Sequence, residues 1–202
     1  MKRLLSFHIV SQIGYIVMGI AIGTKAALAA TVFYLLHHIP VKTSLFLVEG
    51  IIEKETGASA FDRVGGLARR SGFLAVLFMI PAFSLAGLPP FSGFLAKYSL
   101  VRAGFDNRQW IIVVVAVVVS LLTLVSMTKT WIGLFWGKVM PEVPDTRVGI
   151  LRHHRTMTGA TVLMIVGTLA IAALAGPLYQ FCIGAAEQLI DPSMYIEAVR
   201  GS

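Results

Sequence analysis

The sequence predicts an all-α integral membrane protein of about five transmembrane helices, one of them broken at Gly87–Pro90. Three observations carry this. Of 202 residues, 56% are hydrophobic and 13% charged, with a mean hydropathy of +0.81, whereas an average soluble domain is about 25% charged. The apolar residues gather into runs long enough to cross a hydrocarbon core of ~30 Å. The basic residues sit between those runs, so the net charge of +7 fits the positive-inside pattern better than a nucleic-acid surface. Cys182 is the only cysteine, which excludes an internal disulfide and any multi-cysteine metal or cluster site. Met1-Lys2-Arg3 leads into a full-length span with no small-residue cleavage site after it, so no secretory signal peptide is expected.

The first span covers about Leu4–Gly23, with Ser6, His8, Ser11 and Gln12 making its first half polar. Such groups face neighbouring helices rather than lipid, and Gly14 and Gly19 allow close packing. His8, near the basic end, reads as structural or interfacial.

The second span, about Ala26–Gly50, carries Tyr34, His37, His38 and Lys42. Tyr34, His38 and Lys42 are four residues apart and stack on one helical face. An ionisable group in hydrocarbon costs at least ~2.5–3.5 kcal/mol on insertion scales, which makes it a functional-site hypothesis. Histidine and a desolvated lysine one turn apart can exchange protons near neutral pH. Snorkelling is the competing reading: Lys42 lies eight residues from Gly50, roughly 12 Å along the axis. Pro40, between His38 and Lys42, removes a helical hydrogen bond and bends the chain there. Ile51–Ser71 reads as a solvated connector with a short surface helix, charged at Glu53-Lys54-Glu55, Asp62-Arg63 and Arg69-Arg70. Glu49 is expected at a helix end, leaving no acidic residue deep in a span.

Gly72–Gly104 is too long for one straight span, at roughly 50 Å if helical. Gly87-Leu88-Pro89-Pro90, then Ser92-Gly93, mark a break between halves near Gly72–Ala86 and Phe91–Ala103. Broken helices at membrane depth are tolerated only inside protein or beside a water-filled cavity, and transporters build ion sites from them. Lys97 lies in the second half. A discontinuous helix with a lysine, beside a proline-bent helix with another, turns the balance from snorkelling to proton transfer.

The fourth span is about Trp110–Trp136, with Lys129 snorkelling and Gly133 and Gly137 as a GxxxG pattern near its end. Lys138–Arg155 is a second basic loop, and its His153-His154 pair reads as surface because no third metal ligand is in view. The fifth span, about Met157–Ile183, has an expected kink at Gly176-Pro177 and is followed by an amphipathic tail, Glu187–Val199. Lys2, Arg3, Lys54, Arg63, Arg69, Arg70, Lys138, Arg147, Arg152 and Arg155 fall on one side of the membrane. Lys25, Arg102, Arg108 and Arg200 fall on the other. The N-terminus and both long loops are therefore expected in the cytoplasm and the C-terminus outside.

Three segments together resemble one family. Lys2-Arg3-Leu4-Leu5-Ser6-Phe7 with Ser11-Gln12-Ile13-Gly14-Tyr15 is similar to a signature of antiporter-like proton-translocating subunits. These occur in respiratory complex I and in multi-subunit Mrp-type cation/proton antiporters. Phe33–Lys42 resembles that family's next helix, and Leu85–Pro90 with Ser92-Gly93-Phe94 and Lys97 resembles its broken helix. The tail Asp191-Pro192, Tyr195-Ile196 and Ala198-Val199 resembles the end of the D subunits of Mrp-type antiporters. The resemblance implies that residues 1–202 are the C-terminal part of an inverted-repeat, antiporter-like membrane domain in a multi-subunit assembly. It implies a proton path of Lys42, His38 and Lys97, supported by Tyr34, Pro40, Pro89 and Pro90. The upstream repeat, with its glutamate–lysine pair, is not in this sequence, so an upstream polypeptide or partner subunit is expected to cover the polar faces of the first two spans.

Three functions remain open from the sequence. The first is a proton-translocating subunit of a monovalent cation (Na+)/H+ antiporter in the cell membrane. The second is the equivalent subunit of a complex I-type or membrane-hydrogenase pump. The third is a non-transporting scaffold in the lipid bilayer. An enzyme in its own right is not expected, because the chain shows no nucleophile–base constellation, phosphate loop or cofactor motif.

Overall fold

A computed structural model of the chain describes residues 2–56, 65–137 and 155–201, and every described element is helical. Helices α1 (Lys2–Ile22) and α2 (Lys25–Thr56) form an antiparallel pair joined by the turn at Gly23-Thr24. They approach closely because Gly19 has no side chain: a Cβ there would lie 1.8 Å from Thr31 Oγ1. Gly14, by contrast, has open space around it and lines an apolar groove between α1 and the helix that starts at Trp110.

Helix α2 runs beyond its expected end. Ile51 and Ile52 are buried in the core, so the chain stays helical to Thr56 instead of turning into a solvated connector at Gly50. Asp62 and Arg63 lie outside the described residues. The expected short helix is α3 (Leu67–Arg70), which anchors itself by burying Leu67. Ser71 then caps α4 (Gly72–Ala86), accepting a hydrogen bond from the Leu74 N–H at 3.2 Å. After the break comes α5 (Ser92–Asp106). Helix α6 (Trp110–Trp131) continues through a π-helical turn, Ile132–Trp136, and Lys129 is exposed on it. Lys138, Arg147, Arg152, His153 and His154 lie outside the described residues.

The last part of the chain forms α7 (Arg155–Ala173), α8 (Ala175–Ile190) and the short α9 (Ser193–Arg200). The interruption falls at Leu174 rather than at Gly176-Pro177. A proline ring obstructs the carbonyl four residues earlier, here that of Ala173, so the first helix ends there. Among the described residues, four stretches are long and apolar enough to cross a membrane: α1, Lys25–Lys54 of α2, Trp110–Trp136 and α7. The pair α4 and α5, in series across the break, makes the expected broken span.

Helix α2 is the centre of the packing, touching α1, α4, α5, α7 and α8. Its buried side chains fall into two apolar clusters. One gathers Val41, Leu45, Val48 and Ile51 of α2 with Leu5, Phe78, Leu85 and Met127. The other gathers Phe33 and Tyr34 of α2 with Tyr15, Ala96, Leu100, Ala116 and Cys182. On every long helix the residues between the two clusters include polar ones. These are His8 and Gln12 on α1, His37 and His38 on α2, Ser120 and Thr123 on α6, and Thr168 on α7. The helix break falls at the same level, between Leu85 and Ala96. The fold is thus two apolar slabs with a polar layer between them. The outer face of α6 is a contrasting surface of Ile111, Val114, Leu122 and Val125, all exposed as a lipid-facing stripe would be.

Candidate functional site: a polar layer across a broken helix

The break is built from helix-end chemistry. An α-helix leaves its last four carbonyls without an intrahelical donor. At the end of α4, Gly87 adopts a left-handed conformation (φ 86°, ψ 38°), which a glycine accepts without Cβ strain. Its N–H reaches the carbonyls of Phe83 and Ser84, both at 3.1 Å, and the Leu88 N–H also reaches Phe83 O at 3.1 Å. The next two carbonyls, of Leu85 and Ala86, are taken by Lys97: its Nζ donates to them at 2.9 and 3.2 Å. The same amine donates to Ser120 Oγ on α6 at 3.2 Å and lies 5.3 Å from the centroid of the Tyr15 ring. An ammonium group has three donors, and all three have acceptors here. The carbonyl end of a helix also carries partial negative charge, which favours a cation there. Pro89 and Pro90 sit in the exposed turn between the halves and keep the helix from continuing.

On α2, Lys42 is buried and its Nζ donates to Leu5 O of α1 at 3.0 Å. That is one acceptor for three donors among the described residues, so Lys42 keeps capacity that Lys97 has used. His38 stacks on the fully buried Tyr34 ring (centroids 6.1 Å apart, 20° between planes), in line with a shared face for Tyr34, His38 and Lys42. Pro40 lies inside an unbroken α2; its carbonyl accepts from Ser44 Oγ at 2.7 Å. On the polar faces of the first two helices Tyr34 OH donates to Gln12 Oε1 within the chain, while His38 Nε2 is buried with no hydrogen-bond partner among the described residues. His8 Nε2 lies 3.0 Å from Ser126 Oγ, a contact between α1 and α6.

Two features were not anticipated. His37, not His38, makes the direct link from α2 to the broken helix. Its Nδ1 lies 2.8 Å from Ser92 Oγ, the first residue of α5, and Ser92 Oγ lies 3.3 Å from Ser84 Oγ near the end of α4. All three side chains are buried. Gly93 makes the close approach possible, because a Cβ there would sit 1.7 Å from Ser84 O and 3.0 Å from His37 Cε1. The signal available in the sequence was the adjacent Ser92-Gly93, a polar group beside a position with no side chain. Second, Glu49 is not at a helix end. It is 2% exposed, with α2 running on to Thr56.

Residues 1–123 match the family described as NADH:quinone oxidoreductase/Mrp antiporter, TM. The chain belongs to this family. Its similarity extends past the matched region. It is 43% identical to the D subunit of the Na(+)/H(+) antiporter of Alkalihalophilus pseudofirmus over 200 residues, covering 98% of this chain and 39% of the relative. It is 32% identical to the Bacillus subtilis protein of the same name, with the same coverage. The chain thus spans about two-fifths of the length of these relatives. Among solved structures, a chain of the Mrp complex from a Dietzia species superposes with a TM-score of 0.81 at 36% identity, covering 98% of this chain and 44% of that one. A chain of respiratory complex I from Thermus thermophilus superposes with a TM-score of 0.79 at 22% identity, covering 94% and 40%, which extends the fold to that assembly.

Proposed function

We propose that the chain is part of a proton-translocating membrane subunit of a multi-subunit Na+/H+ antiporter. Its Lys42, His38 and Lys97 carry protons through the polar layer, supported by Tyr34, Pro40, Pro89 and Pro90. The observation that carries this reading is Lys97, an amine buried at membrane depth against the two carbonyls that the broken helix leaves free. Lysine and histidine are groups that take up and release protons, and here they line a layer between two apolar slabs. The link from His37 through Ser92 to Ser84 joins α2 to both halves of the broken helix. The likeness to relatives named as D subunits of Na(+)/H(+) antiporters supports the antiporter over a complex I-type pump, to which the likeness is weaker. The basic residues flanking the N-terminus support a cytoplasmic position for that end, with the assembly held in the plasma membrane.

The test uses the assembled complex in everted membrane vesicles, with exchange followed by a pH-sensitive dye on addition of Na+. Lys97→Ala and Lys42→Ala are each expected to abolish exchange while the chain accumulates at near-normal abundance. Full exchange in either variant removes that lysine from the path.

A further inference from the structure

Glu49 is an ionisable group that the proposed path does not use. It is 2% exposed, and its Oε1 is fully enclosed with no hydrogen-bond partner among the described residues. Its position on α2 is informative. Seven residues after Lys42 is close to two full turns, so the two side chains share a face, about 10 Å apart along the axis. One turn further along, Glu53 is paired to Lys2 of α1 at 2.5 Å, at the exposed end of the helix pair. Lys2 hydrogen-bonds to Glu53 and lies close enough to Glu49 to attract it through space, without a hydrogen bond to Glu49 Oε1.

The other elements against α2 offer Glu49 no cation. Helix α4 has no ionisable side chain, and the only one on α7 is Arg155, exposed at its first residue. On α5 Lys97 is held at the break and Arg102 is exposed and paired with Asp106, and the ionisable groups of α8 (Tyr179, Cys182 and Glu187) include none that is positive. A carboxylate buried with no donor against it is costly, and a carboxyl avoids that cost by carrying a proton.

We propose that Glu49 is a proton-loading site for Lys42, joining the polar layer to the membrane face that holds Lys2 and Glu53. The proposal rests on the antiporter reading and extends it. In the loading step the O–H bond of the Glu49 carboxyl breaks and an N–H bond forms on the neutral Lys42 amine, leaving a carboxylate and an ammonium. The carboxylate then takes a proton from water at the Lys2–Glu53 face. Leu45, fully buried, lies on the same helical face between the two groups, so the proton crosses those two turns through water rather than by direct contact. This supplies from within the chain a carboxyl partner for a buried lysine.

The experiment compares Glu49→Gln, Glu49→Asp and Lys42→Ala in the assembled complex, by Na+-driven exchange in vesicles and by infrared difference spectroscopy of the same membranes during a pH change. Glu49→Gln keeps the side chain's shape and is expected to slow exchange roughly 10²-fold. Glu49→Asp should be slowed less. The infrared band of a protonated carboxyl that responds to pH should vanish in Glu49→Gln and move in Glu49→Asp. Exchange at the unaltered rate in Glu49→Gln overturns the proposal, as does a carboxyl band that is the same in all three proteins. Lys42→Ala separates the two levels. If it exchanges normally, the proton path itself fails. If it is inert while Glu49→Gln is fully active, only the loading site fails. Should Glu49→Gln not accumulate, the rate and band of Glu49→Asp decide, and an unchanged pair counts against the proposal.

Discussion

Among the described residues, the α4–α5 break and the α7–α8 bend have opposite characters. Between α4 and α5 the chain turns through five residues, and the carbonyls freed there are claimed by a lysine from the far side of the break. Between α7 and α8 a single residue, Leu174, separates the helices, and the helical hydrogen bonds run on around it: Leu174 N–H to Ala170 O at 2.8 Å and Leu178 N–H to Leu174 O at 3.0 Å. Leu174, Gly176 and Pro177 are exposed or half-buried, and no charged side chain of the described residues bonds there. Both are consequences of proline. Only the first leaves a concentration of backbone acceptors inside the protein, and only the first has polar side chains converging on it. A proline bend alone is therefore a matter of shape. A break becomes a candidate site when its freed carbonyls are enclosed and a protonatable group reaches them.

Gly87→Ala tests this contrast most severely. The residue holds a positive φ, which costs an L-residue ~1–2 kcal/mol. The added methyl would also lie 3.0 Å from Lys97 Cδ, so the lysine arm that reaches the two carbonyls must give by a few tenths of an ångström. Each charge-assisted hydrogen bond it loses is worth ~1.5–3 kcal/mol. Loss of Na+-driven exchange by tenfold or more, with a lowered unfolding midpoint in detergent, is expected. An unchanged rate would mean that the Lys97–carbonyl contacts are not part of the path.

Ser92→Ala should have an intermediate effect. It removes the acceptor or donor for His37 Nδ1 and the partner of Ser84 Oγ, all inside the protein. A buried group left without its hydrogen bond costs ~1–3 kcal/mol. Reduced thermal stability is the expected readout, with exchange falling through misplacement of α5 against α2. His38→Ala makes a useful companion: it leaves the Ser92 link intact and should slow exchange with little loss of stability. If both variants lower stability equally, the division between a linking histidine and a path histidine is wrong.

Much of this was legible in the sequence, and the pattern of what was not is physical. Helical spacing alone placed Tyr34, His38 and Lys42 together, because neighbours on one helix face are fixed by the 3.6-residue repeat. The break was legible because glycine and proline act locally. Lys97 stood out because a lysine in an apolar run is costly wherever it points. By contrast, His37–Ser92 and Gln12–Tyr34 are contacts between helices, set by how close two backbones come, which is a property of the packed whole. The same holds for Glu49. A glycine at position 50 suggested a helix end, yet Gly50 is a close contact with α7, where a Cβ would lie 2.4 Å from Met157 Cε. The glycine serves helix packing and does not end the helix.

The mildest substitution, Pro177→Ala, sharpens the comparison from the other side. Proline at this position lacks the N–H that would bond the Ala173 carbonyl, and its ring keeps that carbonyl at a distance. Alanine restores the donor and relieves the obstruction, so α7 and α8 can join into one straighter helix. In an exposed stretch such a change gains a little helix propensity. Against this, a straightened helix would carry α8 away from the contacts it makes with α2, among them Cys182, fully buried in the core, and the Lys25–Glu187 pair at the surface. Exposed ion pairs contribute little, so the packing of Cys182 and Ala186 decides. It should hold α8 in place, leaving the bend largely intact, exchange within about twofold of the unaltered protein and stability within about 1 kcal/mol. A large loss of exchange from Pro177→Ala would show that the outer bend takes part in transport, and that an interruption without a polar cluster can still be functional.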